Sequence, residues 1–281
     1  MTSSTSLYRT SAMSRYLLQE NKTDRETAPI NRHSIEISER AGVRYLHFSA
    51  DWIQGAMRIQ RPNILELAYT REMMAGLLLR ETPWPRNALL IGLGAGSLVK
   101  FIYHHFPGTR ITVVEINPQV EIIARLHFKL PDDPLRLRVA IGDGARFMLD
   151  EGGESYDYIL VDGFDEHGRA GVLDTEPFYR ACRARLTSGG LLSVNLLGHS
   201  RGFTASQDRI ATAFDDRSII FPSCNSGNAV AFARGDAPVD LRFEELLARA
   251  ATLQRQTGLD LTSTVCRLQT EGCLIRNRLY F

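Results

Sequence analysis

Three glycines and four carboxylates stand at intervals that suit one pocket. Gly92-Leu93-Gly94-Ala95-Gly96 falls between a buried apolar run, 88–91, and a helical pattern, 98–105. A glycine turn at that place lets the backbone approach a nucleotide and offers N–H groups at a helix start, although glycine turns serve packing as readily. Position 97 is Ser, so the dinucleotide GxGxxG pattern fails and the GxGxG form of adenosyl-sulfonium enzymes remains. Glu115 ends the next apolar run, 115 − 92 = 23 positions after the first glycine. That spacing fits the roughly 20 residues that bring a carboxylate to the ribose hydroxyls; a solvated strand-end acid is the plainer use. Asp143, in Ile141-Gly142-Asp143-Gly144, ends the third run, where it can receive the exocyclic amine of adenine or simply close an Asx turn. Asp162 and Asp165 close the fourth run and set two acids at the sheet edge where this architecture reacts.

Those groups need a frame. From residue 88 strand and helix patterns alternate, which predicts an α/β fold with a Rossmann-like doubly wound sheet. Runs 88–91, 111–114, 137–141, 158–161 and 191–196 read as strands, the last entered through a helix stop at Ser188-Gly189-Gly190. Residues 98–105, 118–130, 175–186 and 205–214 read as helices, 218–221 and 229–233 as a strand pair, and 243–256 and 262–269 as terminal helices. Ahead of the sheet, 43–48 and 52–59 alternate as an antiparallel hairpin, and 65–79 carries helical rows of apolar residues. The expected division is a polar, aperiodic arm at 1–29, a small antiparallel β-domain at 30–62, and a donor-binding catalytic domain at 63–281.

Composition narrows the partners. Lys+Arg 33 against Asp+Glu 32 gives a net charge of +1, without the basic excess of a general nucleic-acid binder. No run approaches the roughly 18 apolar residues of a membrane span, and residues 1–14 lack an apolar signal core, so a cytoplasmic protein with a loose tail is expected. Cys182, Cys224, Cys266 and Cys273 form no CxxC pair and read as reduced, mostly buried thiols, and no metal site is expected. His167 and His199 lie in loops near the expected mouth without a partner at ligand spacing.

Residues 89–98, 113–118, 139–148, 156–165 and 178–196, with Tyr69-Thr70-Arg71-Glu72-Met73-Met74, resemble the spermidine synthase family, polyamine aminopropyltransferases of the class I methyltransferase fold. The resemblance spans roughly residues 40 to 235, and Gly142-Asp143-Gly144 with Phe147-Met148 is its most specific stretch. It implies aminopropyl transfer from decarboxylated S-adenosylmethionine to a diamine such as putrescine. Gly92, Gly94, Gly96 and Gly144 would shape the donor site, Glu115 hold the ribose, Asp143 the adenine, and Asp162 accept the proton. Asp165 and Tyr69 would hold the diamine, with Glu166 as a further attraction for its second ammonium.

Three positions depart from the family pattern. The family loop carries an Asp at Ala95 that helps hold the donor ammonium, the proline after the second acid is replaced by Glu166, and a Tyr-Pro loop is matched by Phe221-Pro222, without the hydroxyl. Two other readings therefore stay open: a methyltransferase using ordinary S-adenosylmethionine on a small amine or other acceptor, and a catalytically silent protein that binds an adenosyl ligand. A small-molecule amine is the expected partner, and a homodimer is left open.

Overall fold

The computed structural model describes residues 35–49, 52–81, 84–150, 153–165, 168–198, 202–222 and 227–281. The expected arm, Glu166, His167, His199 and Cys224 lie outside them. The first element is a three-stranded antiparallel sheet, β1 (Glu36–Arg40), β2 (Val43–Ser49) and β3 (Trp52–Arg58). Sequence patterning missed β1, because in Glu-Ile-Ser-Glu-Arg only Ile37 turns into the core. The helical rows that follow give only a short α1 (Ala68–Met73), which tightens into a 3-10 turn at Met74–Leu78. Gly76 lies in that turn, and any side chain there would strike the Tyr158 ring at 2.8 Å.

A seven-stranded sheet follows. β4 (Asn87–Ile91), α2 (Ser97–His105), β5 (Arg110–Glu115), α3 (Pro118–Phe128), β6 (Leu137–Ile141), α4 (Gly144–Leu149), β7 (Tyr156–Val161), α5 (Glu176–Ala184) and β8 (Leu186–Leu197) wind it up. α6 (Phe203–Ala213), β9 (Ser218–Phe221) and β10 (Asn228–Arg234) finish it. The order is β6-β5-β4-β7-β8-β10-β9, with β4 to β8 parallel and β10 antiparallel to both β8 and β9. Successive strands run outward from β4 to β6 and then, from β7, in the other direction. The crevice of a doubly wound sheet therefore opens at the carboxyl ends of β4 and β7. Ser188-Gly189-Gly190 does not separate helix from strand as expected: β8 already begins at Leu186, and its pairing with β7 shifts register across the glycines.

Side chains alternate between two cores along each strand. Leu89, Ile91, Ile159, Val161 and Leu192 pack with Phe178, Tyr179 and Ile210 from α5 and α6. Ala88, Leu90, Tyr158, Leu160, Leu191, Val230 and Phe232 face α1, α2 and α3. On that side two more helices close the chain, after β11 (Asp240–Arg242): α7 (Phe243–Thr257) and α8 (Thr262–Thr270), with β12 (Arg278–Tyr280) returning to pair with β11. Each fully buried Phe, Leu or Ile here contributes about 1.5–3 kcal/mol over its exposed state. No helix among the described residues is long and apolar enough to cross a membrane. Cys182 is buried as expected, whereas Cys273 is half-buried and Cys266 exposed on α8.

The small sheet does not stand apart. β3 lies over the glycine turn: Ser97 Oγ donates to the Ala56 carbonyl at 3.0 Å, and a Cβ on Gly55 would stand 2.6 Å from that of Ala95.

Candidate active site

A cavity of about 1060 Å³ opens at the carboxyl ends of β4, β5, β7 and β8. Its first half is made largely of backbone. Gly92, Gly94 and Gly96 hold φ of +94°, +50° and +65°, a region where only glycine is at ease. A Cβ on Gly92 would run into the Asp162 carbonyl, and one on Gly94 would lie 2.8 Å from the Gln54 carbonyl of β3. Gly96 ends the turn as the residue before α2, where no side chain caps the first N–H groups. Glu115 is 5% exposed at the end of β5; it accepts from the N–H of Leu93 and of Asn117, each at 2.9 Å. Burial pushes its carboxyl up, and those two N–H donors pull it back. One carboxylate thus pins the glycine turn to the β5 end and still offers lone pairs to the cavity.

Asp143 stands exposed before α4, its Oδ1 accepting from the Arg146 N–H at 2.8 Å as the helix cap. A Cβ on Gly144 would meet the Ile91 side chain at 2.5 Å, so glycine here lets α4 close against β4. Ile116, 70% exposed, together with Val172 and Leu173 gives this half apolar walls.

The second half is made of side chains. Asp162 follows β7 and is half-buried; Asn195 Nδ2, from the neighbouring β8, donates to its Oδ1 at 2.8 Å. The Tyr69 hydroxyl, from α1, also hydrogen-bonds this carboxylate. Burial raises the Asp162 carboxyl above the ordinary carboxylate range, opposed by the bonds to Asn195 and Tyr69. Burial raises the Tyr69 hydroxyl as well, reinforced by the Asp162 charge. Asn228 Nδ2, from β10, donates to Asn195 Oδ1 at 3.0 Å. Asp165 lines the cavity, but its carboxylate closes its own loop, accepting from the Arg169 N–H at 2.8 Å and from Arg169 Nε at 3.1 Å.

A spermine/spermidine synthase domain model matches residues 66–200. A polyamine aminopropyltransferase of Neisseria meningitidis is 35% identical over 238 residues, covering 85% of this chain and 90% of that protein. One from Chromobacterium violaceum is 35% identical over 246 residues, covering 86% and 93%. This chain belongs to the spermine/spermidine synthase family. Human methyltransferase-like protein 13, solved in complex with SAH, shares 25% identity with a TM-score of 0.61 over 68% of this chain and 93% of its own, so the sheet is of the class I methyltransferase type.

Within this family member, the structure gathers Gly92, Gly94, Glu115, Asp143, Gly144, Asp162, Asp165 and Tyr69 around one cavity. Gly96 shapes the turn without lining it. Ala95 is 2% exposed and faces Gly55, away from the cavity. Phe221 is likewise buried, its ring 4.6 Å from that of Phe232. Sequence reasoning missed Asn195, Asn228, Ile116 and Arg169. The one signal available was Asn195 itself, a polar residue inside the apolar run Leu-Leu-Ser-Val-Asn-Leu-Leu.

Proposed function

We propose that this chain transfers an aminopropyl group from decarboxylated S-adenosylmethionine to a small aliphatic diamine such as putrescine, with Asp162 as the base. The observation that carries the reading is the half-buried Asp162 carboxylate, held by Asn195 and Tyr69 in the same cavity as Glu115 and the glycine turn. The names of the relatives support the same chemistry.

An aliphatic amine has a pKa near about 10.4 and is protonated at neutral pH, so it cannot attack before losing a proton. Asp162 takes that proton. The freed nitrogen pair then forms a bond to the carbon beside the sulfonium, the carbon–sulfur bond breaks, and its electrons return to sulfur as a neutral thioether. Positive charge leaves sulfur and none is created there, so positioning and proton removal are what the protein must supply. Glu115 receives the ribose hydroxyls, the free oxygen of Asp143 receives the adenine amine, and Ile116 and Leu173 cover the base. Tyr69 keeps its proton and turns its hydroxyl toward Asp162, which orients the carboxylate toward the incoming amine.

Mass-spectrometric product analysis with both donors and a panel of diamines tests the reading. The expected product is an aminopropylated diamine with release of the thioether. A methylated product from ordinary S-adenosylmethionine would replace the reading, and binding of both donors without any transfer would assign the chain to the silent ligand-binding class. Asp162→Asn is expected to bind donor normally and lose transfer by roughly 100-fold or more.

A further inference from the structure

The sheet register places three polar groups side by side in an otherwise apolar layer. Val161 pairs with Val194, so Asp162 lies beside Asn195; Val230 pairs with Asn195 and Leu197 with Asn228, so Asn228 is the diagonal neighbour on the same face. Asn195 is 5% exposed. A carboxylate only accepts hydrogen bonds, so the group of Asn195 that meets ionised Asp162 at 2.8 Å has to be its NH2. Its carbonyl must then turn the other way, toward a donor, and Asn228 Nδ2 stands there at 3.0 Å.

We infer that Asn228 is a positioning residue for the transfer reaction: it holds the Asn195 amide in the one orientation that presents NH2 to Asp162. The inference rests on Asp162 being the base. Without Asn228 the amide can flip, and its carbonyl then opposes the carboxylate. The ionised base loses a donor, and protonation of Asp162 becomes easier. Tyr69 from α1, the Asp165–Arg169 pair from the loop after β7, and Glu115 and Asp143 across the cavity are the other titratable or charged groups lining it among the described residues. Asp165 and Arg169 offset each other, and the raised Tyr69 hydroxyl stays protonated in the range where Asp162 titrates.

The test is the pH profile of kcat/KM for Asn228→Ala, Asn228→Gln and Asn195→Ala, with donor affinity by calorimetry and KM for the amine measured alongside. In Asn228→Ala the acid limb should move up by about 0.5–1 pH unit, the worth of one hydrogen bond to a charge. The kcat at neutral pH should fall about five-fold, while donor Kd and amine KM stay within two-fold. Asn195→Ala should move the limb at least as far, and Asn228→Gln, which keeps the amide donor, should restore it at least in part. An unshifted limb in Asn228→Ala, or a shift in Asn195→Ala alone, overturns the inference. Where alanine is not tolerated, Asn228→Ser, which loses the reach, is read by the same criteria. Asp162→Asn separates the two readings: if it retains turnover, the base assignment fails and this inference with it, whereas an inactive Asp162→Asn beside an unaltered Asn228→Ala refutes only the positioning role.

Discussion

The two ends of the cavity are built on opposite principles. At the donor end the groups that matter are main-chain ones, a glycine turn and a strand end, and the single deeply buried acid, Glu115, is held by the N–H groups of Leu93 and Asn117. At the acceptor end Tyr69, Asp162, Asn195 and Asn228 come from α1, β7, β8 and β10, and each side chain is bonded to the next. The first end is sensitive to crowding of the backbone and the second to the identity and orientation of side-chain polar atoms. A substitution of equal size should therefore do different damage at the two ends.

The largest effect expected at the donor end is that of Glu115→Ala. It removes the ribose acceptor and the pin of the turn together, and donor binding measured by calorimetry should weaken by about 3 kcal/mol, near 150-fold. Full affinity in the folded mutant would mean that backbone alone holds the ribose. Next comes Ala95→Asp. Because Ala95 packs on Gly55, a carboxylate there is buried against the small sheet, not presented to the donor. Denaturant unfolding should show a loss of about 2–3 kcal/mol, with the ratio of affinities for the two donors unchanged. A changed ratio with stability intact would show that the turn can re-aim that side chain.

A third prediction separates the pH dependence of the scaffold from that of the reaction. Lys100, on α2 beneath the glycine turn, is 1% exposed and donates to the Phe128 carbonyl at 2.8 Å. Burial, reinforced by Lys129, lowers its pKa to about 7. The unfolded chain keeps that proton until about pH 10.4, so between the two values the unfolded state binds more protons and stability rises with pH, by about 2 kcal/mol from pH 7 to 9. In Lys100→Met the slope of stability against pH should flatten, while the acid limb of activity, set by Asp162, stays in place. The smallest effect is that of Asp143→Asn, which keeps the cap oxygen for α4 and replaces the other oxygen with NH2. Donor affinity should fall by about 1 kcal/mol with no change in melting temperature, whereas Asp143→Ala should also cost about 1 kcal/mol of stability.

The same contrast explains what could be read from the residues alone. Glycine spacing, strand-end acids and the alternation of elements are local signals, and they located the doubly wound sheet, Glu115, Asp143 and Asp162 in the right places. Cross-strand neighbours are not local. Asn195 and Asn228 are separated by a helix and a further strand, and only the antiparallel register of β8 with β10 brings them together. The pairing of Asp165 with Arg169 depends on the turn of a loop whose residues carry no periodic signal. The 65–79 segment shows a different failure: its apolar rows are helical, yet the chain tightens after Met73, where the Tyr158 hydroxyl donates to the Met73 carbonyl and Gly76 lies against the Tyr158 ring.

The seating of β3 on the glycine turn bears on how such proteins can be recombined. Gly55 and Ala95 are lock and key for each other, and the Gln54 carbonyl sits where a side chain at position 94 would go. An amino-terminal sheet transplanted from another protein would bring its own residue at 55 against the resident residue at 95. Chimaeras joined between the two sheets should therefore fold only when both positions travel as a pair, and the working unit of exchange is the roof together with the loop beneath it.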